Sequence, residues 1–236
     1  MKKVLDDILL SENVTDNFHK QYSTNAQFRD WILKVIPEVE ACRKQRQDNP
    51  WHIYNCLDHI LHSVEQINKQ TQNLDPKTQR KLAYTMFLHD IGKPQKHLRR
   101  YSKLYKREVD SFFNHNLASA DVVDRVIQQH FGFDQKEAKE IHTLVEKHDI
   151  FMFITLENDG NQHHKVLTAG YLQDEISDLN KTGNGAELMR QLIMVGRADN
   201  GAQNPEMTEQ SFKLLNKMDS MLTNLTQTNA QDTPVQ

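Results

Sequence analysis

The sequence predicts an all-α fold, built as a single helical domain. Apolar residues recur at three- and four-residue spacing along much of the chain. Only 8 Gly and 6 Pro occur among 236 residues, which argues against a loop-rich all-β fold. No internal repeat or linker-like stretch divides the chain. The expected domain spans residues 1–225, with a core at about 36–203, followed by a disordered polar tail at 226–236.

The first 22 residues carry one short amphipathic segment, around 4–10, and then a polar stretch. A helix is expected from about Thr24, with Ser23, Thr24 and Asn25 as cap candidates and Thr24/Gln27 at capping-box spacing. Phe28, Trp31, Ile32, Val35 and Ile36 form its apolar face, Pro37 bends or restarts it, and Val39 and Cys42 continue it. The polar run 43–51 breaks the pattern near Asn49-Pro50.

A helix follows at about 54–69. Asp75-Pro76 opens the next, which carries Leu82, Met86, Phe87 and Ile91 and stops at Gly92-Lys93-Pro94. A basic segment at 96–107 precedes helices at about 114–130 and 135–148. The stretch 150–183 reads either as a loop over a site or as short helices, one of them near 167–179. Two last helices are expected at about 185–199 and 207–224.

The net charge of -3 gives no footprint for general nucleic-acid or anionic-membrane binding. No segment approaches the roughly 20 apolar residues of a spanning helix. The N-terminal run has acids inside its apolar part and lacks a signal-peptide core. A cytoplasmic protein with Cys42 and Cys56 as reduced thiols is the expectation.

Histidine is the informative residue, with 12 in the chain. His89 and Asp90 are adjacent at the end of an apolar helix. Helix neighbours point about 100° apart, so both cannot join one core stripe, yet both can reach an ion over the helix end. His59 lies on the preceding helix, His115 begins the following one, His148 ends the next, and Asp199 ends a later one. Helices converging on a polar centre are how all-α proteins build metal sites. Four imidazoles and two carboxylates suit Mn, Fe, Co, Ni or Zn better than Ca, with Mg possible. Six ligands exceed what one catalytic ion needs. They fit two divalent ions, roughly 3.5–4 Å apart, with Asp90 bridging.

These stretches resemble the HD-domain phosphohydrolases, in the branch with the pattern H…HD…H…H…D, and most closely the HD domain of bacterial CCA-adding tRNA nucleotidyltransferases. Five blocks carry the likeness in one order: RQDNPWHIYNCLDHILHSVE, FLHDIGKP, FFNHNLASA, LVEKHD and GRADNGAQ. They lie within about residues 36–203. The first 50 residues cannot hold a nucleotidyltransferase head, so a stand-alone domain is expected. Segments 95–110 and 150–183 depart from the family pattern.

The resemblance implies metal ligands at His59, His89, Asp90, His115, His148 and Asp199. It selects His59 over its neighbours, leaving His52 beside the ligands or facing substrate and His62 as a helix-surface residue. Asp149 reads as a helix-end residue, and His163-His164 as part of a solvated loop. His19, His97, His130 and His142 read as structural or surface residues. Lys93 and Asp90 are the expected catalytic residues, and Lys93, Arg197, His52 and Arg99 the expected substrate contacts. Arg100, Lys103 and Lys106 complete the basic cluster.

The implied activity is hydrolysis of a phosphomonoester or phosphodiester, with a nucleotide as the expected small partner, by attack of a metal-bound hydroxide. A di-iron oxygenase of the same fold and a non-catalytic nucleotide sensor are the alternatives. Oligomeric state stays open.

Overall fold

The computed structural model describes residues 1–231. They form eleven α-helices, two 3-10 helices and two small two-stranded sheets, so the all-α expectation holds. The part of the expected polar tail at 232–236 lies outside the described residues.

The centre is α6 (Pro76–Leu88). Asp75 accepts hydrogen bonds from the Lys77 and Thr78 amides, and Pro76 needs no donor there. Every residue from Lys81 to Leu88 is buried, because α6 has neighbours on several sides. α5 (Cys56–Thr71), capped by Asn55, packs along it. So do α8 (Gln135–Glu146), with a capping box from Asp134 and Glu137, and α10 (Gly185–Gly201), capped by Asn184. α7 (His115–Phe131) lies against α8.

A second layer comes from α1 (Lys2–Leu9), α2 (Val14–Thr24), α3 (Ala26–Val35) and α4 (Glu38–Lys44). α2 occupies the stretch expected to be merely polar. It buries only Val14 and Phe18, one turn apart, which is too sparse a stripe to stand out in sequence. Of the three cap candidates before α3, Asn25 does the work, accepting from the Phe28 amide.

The expected basic loop is instead an antiparallel hairpin, β1 (Leu98–Ser102) and β2 (Arg107–Ser111). Its anchor is Asp110, a buried carboxylate that accepts from the Asp48 amide at 2.7 Å, His97 Nε2 at 2.8 Å and Arg99 at 3.3 Å. Stretch 148–168 holds a 3-10 helix (His148–Phe153) and a short parallel pair, β3 (Ile154–Thr155) and β4 (Lys165–Val166). α9 (Ala169–Leu179) then leads to α10. α11 (Glu209–Gln231) runs past the expected end at 224, so residues 226–231 are helical and not a disordered tail. No helix among the described residues is long and apolar enough to cross a membrane.

Candidate metal centre

Each of the six expected ligands reaches one place, and the local sequence explains how. His59 sits one turn into α5. His89 and Asp90 follow the last residue of α6, in the turn that Gly92 closes. A Cβ at Gly92 would lie 2.5 Å from the Ser119 backbone nitrogen, so only glycine lets this turn approach α7 so closely. The Gly92 amide donates to Ser119 Oγ at 2.9 Å. Below the turn, the buried thiols of Cys42 and Cys56 point at the carbonyls of Ile91 and Asp90, at 3.6 and 3.7 Å. Both cysteines are free. His115 starts α7 after Asn114, whose φ of 64° is left-handed, a conformation Asn tolerates. His148 opens the 3-10 helix after α8, and Asp199 lies in the last turn of α10.

All four histidines share one device. His89, His115 and His148 each direct Nδ1 to the carbonyl three residues earlier, on Met86, Phe112 and Val145, at 2.7, 2.8 and 2.7 Å. His59 Nδ1 does the same to Ala202 at 3.2 Å. A carbonyl only accepts, so Nδ1 carries a hydrogen and Nε2 is the atom left facing inward, a lone pair whenever the ring is neutral.

The inward atoms fall into two groups sharing Asp90, and within each all donors lie within 4.8 Å of one another. Asp90 Oδ2 is 3.1 Å from His59 Nε2 and 3.3 Å from His89 Nε2, and Asp199 Oδ1 is 2.9 Å from His59. Asp90 Oδ1 is 2.9 Å from His115 Nε2 and 3.5 Å from His148 Nε2. Despite these short distances, His59 Nε2, His89 Nε2 and both Asp90 oxygens make no well-directed hydrogen bond and are fully buried. They gather in these two groups without bonding one another. Orphaned buried polar atoms are costly, and a cation is the group that satisfies several lone pairs together. The donor set therefore fits a metal ion.

The electrostatics agree. Burial alone would push the Asp90 carboxyl up, but His89, Lys93 and His115 outweigh it and hold it well below the carboxylate range. Asp199 is depressed in the same way by His59 and His89 against its burial. Burial opposes charge on His89, yet Asp90 and Asp199 lift it to about 10. The carboxylates thus demand positive charge at the centre, which either protons or a cation can meet.

Lys93 is buried, with its ammonium 2.5 Å from Asp90 Oδ2 and 2.9 Å from Gln47 Oε1. It caps no helix carbonyl. Its pKa is raised because Asp90 overcomes the burial penalty. His52 lies 3.4 Å from Lys93, and its ring meets His59 edge-on at 4.9 Å between centroids. Burial first, then the charges of Lys93 and His59, drive His52 well below the usual imidazole range, so it is neutral. Asn204 fixes the loop bearing His52 by pairing with the carbonyls of Trp51 and Pro50.

No family model matches this chain, and neither does any curated protein.

Two expected substrate contacts are corrected. The Arg197 guanidinium binds Asn216 and Asp219 at 3.0 and 2.9 Å, joining α10 to α11 away from the cavity. Arg99 is held by Asp48 and Asp110 and ties the hairpin down. Asp149, set aside as a helix-end residue, comes within 3.3 Å of both His115 Nε2 and His148 Nε2 and lines the cavity. Its only sequence signal is the second His-Asp pair in LVEKHD. His62 pairs with Glu65, and His164 with Asp159, both outside the ligand groups.

Proposed function

We propose that the chain is a metal-dependent phosphohydrolase of the HD type, acting on a phosphomonoester or phosphodiester such as a nucleotide. The observation that carries this is the shared device: four Nε2 atoms, turned inward by main-chain acceptors on Nδ1, gather around the two oxygens of one buried aspartate. That arrangement favours two ions, with His59, His89, Asp90 and Asp199 holding one and Asp90, His115 and His148 the other. When bound, divalent ions lower the pKa of coordinated water and draw charge from phosphoryl oxygens.

The remaining roles belong to the chain. Asp90 orients both ligand groups through its separate oxygens. Lys93 fixes Asp90 and adds positive charge at the edge of the cavity. Neutral His52 can donate a hydrogen bond to a phosphoryl oxygen beside Lys93. Asp149, at the outer side of His115 and His148, can accept from an incoming water.

The test is metal analysis of purified protein, followed by phosphatase and phosphodiesterase panels with Mn, Co, Ni and Mg. Close to two ions per chain and phosphate release are expected. Absence of hydrolysis across the panel, or oxygen consumption with added iron, would overturn the assignment.

A further inference from the structure

The ligand groups open into a cavity of about 1200 Å³, far more than a phosphate group needs. Trp51, Tyr101, Phe113, Met152, Phe153 and Leu156 all line it, and all are solvent-exposed, Phe113 by 68% and Tyr101 by 61%. Large apolar groups gathered round a polar site mark a surface awaiting an apolar partner. Four of the six are aromatic, and flat rings suit another ring better than a flexible chain.

The charges on the same wall are as informative. Its only lysine or arginine residues are Lys93 and Arg100. Lys93 is committed to Asp90, so of the two cations on this wall only Arg100 has no acidic partner among the described residues. Against it stand Asp110, Asp149 and Glu157, besides the ligand carboxylates. Sites for polyphosphates need several cations or a glycine-rich nest of amides for the outer phosphates. Nothing of that kind lines this cavity.

We infer that the site takes an ester with a single phosphoryl group and a large aromatic organic half, such as a nucleobase, and that it discriminates against polyphosphates. In this arrangement the phosphoryl group meets the ligand groups, Lys93 and His52, while the ring lies among Trp51, Tyr101, Phe113 and Phe153. The hairpin supplies Tyr101, and its latch through Asp110 and Asp48 holds that part of the wall in place. The inference rests on the proposed phosphoester site but is tested by binding, so the two can fail separately.

The experiment is calorimetric titration of manganese-loaded protein with AMP, ribose 5-phosphate, octyl phosphate and ATP. Aromatic stacking gives about 5- to 150-fold per ring. AMP should therefore bind at least fivefold tighter than ribose 5-phosphate or octyl phosphate, and ATP no tighter than AMP. In Phe113→Ala and Tyr101→Ala, both surface positions whose loss should not unfold the chain, the AMP advantage should shrink while ribose 5-phosphate changes less. Equal binding of AMP and ribose 5-phosphate, equal binding of octyl phosphate, or tighter binding of ATP would each overturn the inference. If the protein hydrolyses nothing yet ranks these ligands as expected, the hydrolase proposal falls and the ligand class stands.

Discussion

Replacing Lys93 by methionine removes the ammonium from Asp90 while keeping most of the side-chain volume. At 2.5 Å and an effective dielectric of about 20, the gross attraction is roughly 7 kcal/mol before desolvation is counted. Desolvation offsets much of it, and breaking a buried pair by removing one partner costs about 3–5 kcal/mol. Gln47 Oε1 also loses its donor. For a chain of this size that corresponds to a fall of roughly 6–20 °C in Tm. The loss should be largest in metal-free protein and should narrow when manganese is added, because a cation then neutralises the same Asp90 oxygen. Thermal scans of both forms, with metal content measured on the same samples, decide the matter. On phosphate esters the loaded variant should lose about 10²–10³ in kcat/KM. A metal-free Tm within about 2 °C of wild type would refute the electrostatic argument, and near-normal kinetics would confine Lys93 to holding Asp90.

Asp90→Ala should lose both ions by elemental analysis, whereas His115→Ala or His148→Ala should lose one, because only Asp90 belongs to both groups. Metal affinity should rise with pH from 6 to 9: His89 in metal-free protein keeps its proton up to about 10, so a binding ion must expel it. Titrations in buffers of different ionisation enthalpy should show that proton release, and a pH-independent affinity would contradict it. Gly92→Ala forces a Cβ into the Ser119 backbone, so a loss of about 1–3 kcal/mol in a denaturant titration is expected. Arg197→Ala should cost about 0.2–1 kcal/mol through its half-exposed ion pair and leave kinetics unchanged; a large fall in kcat/KM would return Arg197 to the site.

The ligand set was legible because each member sits at a helix end or one turn inside, where an ordinary core stripe has no use for it. Asn25, Asp75 and Asn55 likewise act through bonds that span two or three residues, so their helices could be read locally. The hairpin could not. Its basic residues look solvated until Asp48, about fifty residues earlier, meets Arg99 and Arg107. Asp149 was hidden in a similar way, since what sets it at the centre is its approach to His115, on an earlier helix, and not only to the adjacent His148. Arg197 was a different matter. It stands two positions before Asp199 on α10, about 200° round the helix, so helical geometry alone turns it from the site.

Orientation of the four imidazoles by peptide carbonyls has an evolutionary and practical edge. An acceptor on a side chain can be deleted by one codon change, but a main-chain oxygen survives every substitution at its own position. Which ring nitrogen faces the centre is therefore robust to point mutation nearby. The vulnerability moves to backbone shape: whatever frays the last turn of α6 or α8, or the entry to α7, turns the rings as well. Ligand competence and helix-end integrity should be lost together, even when every ligand is still encoded.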